Sequence, residues 1–447
     1  MSNIATRTRI ESQPSGFTRL DHRLAIRKTA LIVAIVVMCI LLISFRPFSP
    51  VAAENEGARG DVVNQLGFGL LSAAVIAALA TLAEPRKIMQ IISPGWVLMF
   101  VFLFASVLTS ADSATAMRGV IFTMIGVVAV VGVLALPQDG DGYARLLMTV
   151  ATVVIVISYA GVVLLPSLGT HGADAHEPQN SFLWRGVFSH KNVAGPVMAA
   201  LAFAGLYLWR RRWRISGTVI GLAALFFVAQ TGSKTTMALV PFSMLLVVVP
   251  GLMGLRFLTV ATIFVIQLSF GIFTFGAALF EPIRNFVESL NVDATFTGRV
   301  SIWKFALEAL WDRPWSGYGY ESFWNSPFAR EAANPYYLDW DVRKIVHAHN
   351  GYLDIAVSMG IPALVCGIAV IIIMPLVNYV RCRPQRENLL LADFFLMVVF
   401  FGTLNAMLES FFFRRVDPVW LILIFAIFGL RLTAKVVIPR RSGAGQT

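Results

Sequence analysis

Two histidines at i and i+2, His347 and His349, end a long polar stretch as RKIVHAHN, immediately before an apolar run that opens with Asn350 at its N-cap. An imidazole, with an ordinary pKa of about 6.5, is a ready general base at neutral pH. At that spacing and without further partners the pair is a poor metal site. The same stretch carries Arg299 in TGRVSIWKFALEALW. This segment reads as an amphipathic helix with Val300, Trp303, Leu307, Leu310 and Trp311 near one stripe and Thr297 as N-cap. A cation in the first turn opposes the helix dipole. It makes sense where an anion occupies the helix start, held by the guanidinium and the free N–H groups together.

Other residues invite the same chemistry. The loop SLGTHGADAHEPQNSFLWRGVFSHKNVAG holds Arg185, His190, Lys191 and Asn192, a group suited either to an anionic headgroup or phosphate or to anchoring at a membrane interface. Its histidines, His171, His176 and His190, fit no common zinc spacing, and no metal is expected. Lys234 in QTGSKTTM either snorkels or serves as a point-charge ligand for phosphate; the segment lacks the frame of a Walker loop. In WSGYGYESFW, Tyr318 and Tyr320 suit sugar contacts as well as a membrane interface. Glu409, near the end of an apolar run, is costly at membrane depth and so a functional candidate. The bland alternative pairs it with Arg414 or Arg415.

The elements that must position these groups are membrane helices. Of the 447 residues 57% are apolar and the mean hydropathy is +0.73, against roughly 45–50% apolar for soluble domains. About twelve runs reach the ~20 mostly apolar residues a span requires, centred near Val36, Ala74, Phe102, Val127, Val156, Ala202, Leu225, Leu245, Ile266, Ile368, Val398 and Ile424. None shows the alternation of barrel strands, so the expected class is an all-α integral membrane protein. The expected division is a basic tail over 1–28, spans one to nine over 29–280, a large outer loop over 281–350, spans ten to twelve over 351–434 and a tail over 435–447. The first run is read as a retained span and not a signal peptide. The Lys and Arg distribution favours both termini on the cytoplasmic side. The net charge of +11 is then a topology signal with affinity for the anionic bilayer surface. Its scatter among loops argues against nucleic acid. Cys39, Cys366 and Cys382 show no disulfide or zinc pattern.

The order of these motifs, a GSK segment closing a middle span, then TGRVSIW, GYGYESFW and HAHN, resembles the membrane superfamily of O-antigen ligases and Wzy-type polysaccharide polymerases. FSHKNVAG is similar to the branch that polymerises exopolysaccharides. The resemblance covers about residues 180–412 and implies a twelve-span, GT-C-like glycosyltransferase at the periplasmic face of the bacterial inner membrane. Such an enzyme moves a glycan from undecaprenyl diphosphate to an acceptor hydroxyl with inversion, without metal or other cofactor. The implied site has Arg299 on the diphosphate and His349 orienting or deprotonating the acceptor, with His347 as second choice. Lys234, Arg185 and Lys191 are the other cations available for the diphosphate, and Tyr318, Tyr320, Asn350 and Glu409 are candidate acceptor or sugar contacts. Relatives often carry arginine where this chain has Lys234, which keeps the charge but loses the bidentate fork. Implied partners are the lipid-linked oligosaccharide and the bilayer, with other polysaccharide export components as further candidates. An O-antigen ligase using lipid A-core is the alternative within this chemistry. A secondary transporter is the alternative outside it, against which stands the lack of paired broken helices around mid-membrane charges.

Overall fold

The computed structural model describes residues 16–49, 62–172, 180–290, 296, 298–332 and 341–440. One-turn helices aside, the chain order is α1 (Gly16–Ile43), α2 (Val62–Leu82), α3 (Pro85–Ile91), α4 (Pro94–Ala105), α5 (Ser113–Ala135), α6 (Gly140–Leu164), α7 (Lys191–Arg210) and α8 (Arg214–Gln230). There follow α9 (Lys234–Leu252), α10 (Arg256–Leu279), α11 (Glu281–Ser289), α12 (Arg299–Asp312), α13 (Gly351–Met359), α14 (Ile361–Val380), α15 (Arg386–Asn405) and α16 (Pro418–Lys435). Among the described residues the only β pairing is one isolated bridge, Thr170 with Trp184. The protein is an all-α, multi-pass membrane protein.

Among the described residues ten helices are long and apolar enough to cross a bilayer. The third expected span is a pair, α3 and α4, bent by 66° where Ser93 and Pro94 interrupt the helix, since proline cannot continue the hydrogen-bond ladder. The seventh, α8, is apolar but has only 17 residues. It lies tight against α7: a Cβ added at Gly205 would come within 2.6 Å of the Gly221 backbone nitrogen, so only glycine admits this approach. The centre of the bundle is α15, with 94% of its apolar window buried, flanked by α16 and α7 at 83% and 78%. Helices α2, α9 and α10 stand at 22% and turn most of their surface outward, as lipid-facing helices do.

The long polar stretch folds around a core of its own. Ile302, Trp303, Phe305, Ala306 and Ala309 of α12 pack with Tyr318, Phe323, Trp324, Val342, Ile345 and Leu353. Two expectations about α12 change. Gly298, in the left-handed region at φ +80, is the residue that precedes the helix, and Thr297 lies outside the described residues. Trp311 is 71% exposed, because the buried face, which keeps Trp303 and Leu310 of the expected stripe, turns through Ser301, Ile302, Phe305 and Ala309. A third change concerns the tenth span. Asn350 does cap a helix, accepting from the Tyr352 and Leu353 backbone N–H groups, but that helix is the nine-residue α13. It stops at Gly360, φ +87, where a Cβ would lie 2.3 Å from the Trp315 carbonyl oxygen, and the span α14 starts afresh at Ile361.

Candidate active site

Glu409 follows the end of α15, and three segments far apart in sequence meet at its carboxylate. Its Oε1 accepts from an Arg299 guanidinium nitrogen at 2.8 Å and from Asn192 Nδ2 at 3.2 Å. Its Oε2 lies 3.4 Å from His349 Nδ1. The site thus joins the first turn of α12, the first turn of α7 and the turn before α13. The sequence alternative that Glu409 pairs with its own neighbours is not what forms: Arg414 donates to the Ser410 carbonyl oxygen, and Arg415 pairs with Glu321 at 2.8 Å. The Arg299, Glu409 and His349 side chains keep 22%, 19% and 25% of their surface exposed. The cluster is therefore screened from bulk water yet still reachable.

The electrostatics follow from this packing. Burial pushes the Glu409 carboxyl up, but the His349 hydrogen bond and the Arg299 charge outweigh it and hold the group below the usual carboxylate range. It is an anion throughout the neutral range. A carboxylate on Nδ1 favours the tautomer that carries its proton there and presents Nε2 as the acceptor. The His347 ring packs edge-on against the His349 ring at 4.2 Å. Burial, reinforced by His349, Arg414 and Arg299, holds His347 well below the ordinary imidazole value, so it is neutral. Its Nδ1 accepts from the His349 backbone N–H at 3.3 Å.

His349 adopts φ +51, a left-handed conformation that costs an ordinary residue roughly 1–2 kcal/mol. Neighbouring peptides are pinned to offset this. Trp303 Nε1 donates to the Ala348 carbonyl at 3.0 Å, and the Asn350 N–H donates to Ser410 Oγ at 2.9 Å. The Gly351 N–H donates to the Ala406 and Glu409 carbonyls at 2.8 and 3.1 Å. These last bonds tie the histidine turn directly to the segment bearing Glu409.

A second histidine pair stands on the α7 side. His190 caps α7, its Nδ1 accepting from the Asn192 N–H at 3.1 Å, and His171 Nε2 accepts from the Lys191 N–H at 3.0 Å. The two rings are 4.6 Å apart. Burial, with His190 and Arg185 nearby, lowers His171 to about 4, so it remains an acceptor at neutral pH. His176 lies outside the described residues. Among the described residues no group of three or more His, Cys, Asp or Glu is arranged to hold a metal ion.

The remaining expected site residues divide into those near the cluster and those used elsewhere. Lys191 is the first residue of α7, beside Asn192. Lys234 is exposed at the first position of α9, whose Thr236 faces Gly195 one turn into α7. Arg185 is 6% exposed and donates through Nε and Nη1 to the Thr170, Ser49, Phe188 and Ser189 carbonyls at 3.2–3.3 Å, bracing the loop. Tyr318 and Tyr320 are buried, and their hydroxyls donate to the Ala309 and Phe413 carbonyls at 3.2 and 2.6 Å. Asn350 is 2% exposed; its oxygen caps α13 and its amide donates to the Met407 carbonyl at 3.1 Å, so it too builds the turn in place of meeting a sugar. The sequence reading passes over Asp354, which holds the histidine turn; an acid in the first turn of α13 was the one signal available.

Residues 191–368 match the family model described as O-antigen ligase, Wzy_C. Over this segment the chain is similar to the O-antigen ligase family. The segment starts at the first residue of α7 and ends within α14, so Asn192, Lys234, Arg299, His347 and His349 fall inside it, and Glu409 is supplied from beyond it. No curated protein matches the chain.

Proposed function

We propose that this O-antigen ligase-type protein is an inverting glycosyltransferase that transfers a glycan from undecaprenyl diphosphate to an acceptor sugar hydroxyl, and that its reaction polymerises exopolysaccharide repeat units. The observation that carries this reading is the shared carboxylate. Glu409 orients His349 through Nδ1 and at the same time holds Arg299, so a base and a phosphate-binding cation stand side by side. In the proposed step His349 Nε2 takes the acceptor O–H proton. The acceptor oxygen bonds to the anomeric carbon on the face opposite the diphosphate, and the carbon–oxygen bond to the diphosphate breaks, releasing undecaprenyl diphosphate. The charge that develops on this leaving group is stabilised by Arg299, with Lys191 and Lys234 as further candidate cations. Arg299 exchanges its Glu409 partner for the diphosphate as substrate enters.

In this reading the site faces the periplasm from the inner membrane and both termini are cytoplasmic. The family description favours one second reading, in which the acceptor is lipid A-core. The test is a strain lacking this protein, complemented with wild type, Arg299→Ala or His349→Ala, with membrane levels checked by immunoblot and lipid-linked glycans sized. Loss of long polymer with accumulation of single lipid-linked repeat units is expected for both variants. Normal polymer missing only from lipid A-core would establish the ligase, and wild-type behaviour of both variants would overturn the site.

A further inference from the structure

Asp354 takes no part in the steps above, yet three separate parts of the chain converge on its carboxylate. The Ala348 backbone N–H donates to Oδ1 at 3.0 Å and to Oδ2 at 3.3 Å. Trp324 Nε1, at the end of the GYGYESFW segment, donates to Oδ1 at 3.1 Å. The Ser410 hydroxyl, from the turn after α15, stands close enough to temper the upward push of burial on the Asp354 carboxyl, and its oxygen accepts from the Asn350 N–H. Ala348 is the residue between the two histidines. Its N–H is held by Asp354 and its carbonyl by Trp303, and the peptide after His349 is held by Ser410. The left-handed turn at His349 is thus held on one side by the Asp354 carboxylate and on the other by the hydroxyl beside it.

An uncharged polar residue would do this less well. A carboxylate accepts on both oxygens, and charge-assisted bonds to N–H donors are the stronger kind. An amide in its place would keep one accepting oxygen and turn an NH₂ toward Ala348 or Ser410.

We propose that Asp354 is a positioning residue that fixes the His347–His349 turn against Glu409, so that the imidazole stands in register with Arg299. It touches no substrate and acts through the Ala348 peptide and Ser410. The consequence for turnover rests on the catalytic role proposed above for His349; the consequence for the geometry of the turn does not.

The experiment uses the full-length detergent-purified protein as wild type, Asp354→Asn, Trp324→Phe and Ser410→Ala. Two readouts are taken: transfer from undecaprenyl-diphosphate-linked repeat units, and carbethoxylation of each histidine by diethyl pyrocarbonate, followed by mass spectrometry. For Asp354→Asn we expect kcat to fall at least tenfold with the KM for the lipid-linked donor within twofold of wild type, because α12 and Arg299 are undisturbed. His347 and His349 should react several-fold faster, with His171 and His190 unchanged. Trp324→Phe, which removes one donor to the carboxylate, and Ser410→Ala, which removes the acceptor of the Asn350 N–H, should move both readouts the same way by less. Unchanged reactivity at His347 and His349 would overturn the proposal, as would equal loss of protection at all four histidines, which marks general loosening. If the wild type transfers no glycan while Asp354→Asn still unprotects the two histidines, the proposed function fails and the positioning role stands.

Discussion

Helices α7 and α15 carry buried charge at both ends, and the two ends are built differently. At the end where α7 finishes and α15 starts, Arg211 pairs with Glu387 at 2.8 Å with side chains 3% and 4% exposed, and also reaches Asp141. Asp393, 4% exposed, takes Arg210 at 2.7 Å, Arg256 at 3.5 Å and the Tyr379 hydroxyl at 2.8 Å. About 30 Å away, by the 1.5 Å rise of a helix of this length, Glu409 takes Arg299, Asn192 and His349 and keeps 19% of its side-chain surface exposed. The first end closes arginine on carboxylate around Arg211, Glu387 and Asp393, whose side chains are at most 4% exposed. The second joins an arginine to an imidazole and stays accessible. A closed network fixes how helices pack, whereas an open one with a titratable member has capacity left for a ligand and a proton.

The comparison is sharpest where the predicted loss of chemistry is largest. His349→Ala removes the proposed base and should lower transfer by about 10²–10⁴-fold, the usual worth of a positioned general base, with membrane levels at wild type. Arg299→Ala should cost about 10²–10³-fold, as removal of one charge-stabilising donor does. Arg299→Lys should recover only part, since the bidentate fork is absent. Single-turnover transfer by purified variants checks both. Should either variant instead fail to accumulate in the membrane, the open end would be as structural as the closed one.

Glu409→Gln probes the link between base and cation. The carboxyl is held below its ordinary range, so its ion pairs form above the unfolded-state value and are lost only as pH falls through the depressed folded-state value. Wild-type activity should therefore show no Glu409 titration across the neutral range. The glutamine variant should be slower, by less than the roughly 10⁴-fold loss a fully buried triad suffers when its carboxylate becomes an amide, because this carboxylate is partly solvated. A pH–rate profile of both proteins decides it; an acid limb at neutral pH that wild type shows and the glutamine variant lacks would break the assignment.

At the closed end the effect should fall on folding and leave chemistry alone. Asp393→Ala strands Arg210 and Arg256, and breaking a buried pair costs about 3–5 kcal/mol. Lower membrane levels and easier thermal aggregation are expected, with transfer per folded molecule unchanged. A drop in specific transfer without a drop in level would show that the two ends are coupled through α7 and α15.

What could be read without the structure follows the same division. Composition and run length were enough for an all-α membrane protein, because burying a span's backbone in lipid leaves few alternatives. Arg299 and His349 were legible because a cation in a helix's first turn and a histidine at a helix start are locally anomalous. Glu409 was visible only as a costly carboxylate, since its partners lie 110 and 60 residues away and no local pattern encodes them. Asp354 was passed over, because a single acid in an apolar helix carries no local sign of the partners it meets in the fold. Tyr318, Tyr320 and Asn350 misled for the opposite reason: aromatic and amide side chains suit sugars and backbone carbonyls equally, and only burial decides between them. The break at α3 and α4 hid in an apolar run because hydropathy does not register a proline bend.

Tyr320 gives the smallest expected effect and the most direct check of that last correction. Its hydroxyl donates to the Phe413 carbonyl at 2.6 Å and lies 3.0 Å from Thr123 Oγ1, which independently reaches the same carbonyl at 3.0 Å. Tyr320→Phe therefore leaves the Phe413 carbonyl with a donor. The cost should stay near the ~1 kcal/mol of one ordinary hydrogen bond, and the ring still fills its place beside Gly119, where an added Cβ would come within 2.5 Å of it. Thermal stability should fall slightly, and neither kcat nor the KM for acceptor should change. A selective rise in acceptor KM would return Tyr320 to the sugar-binding role that its burial argues against, and would mean that the loop core opens during turnover. Arg415 is the control, because its backbone N–H lies 3.4 Å from the Tyr320 hydroxyl and its side chain pairs with Glu321. If opening of this core is the cause, Arg415→Gln should raise the same KM; if Tyr320 is only packing, both substitutions should leave it alone.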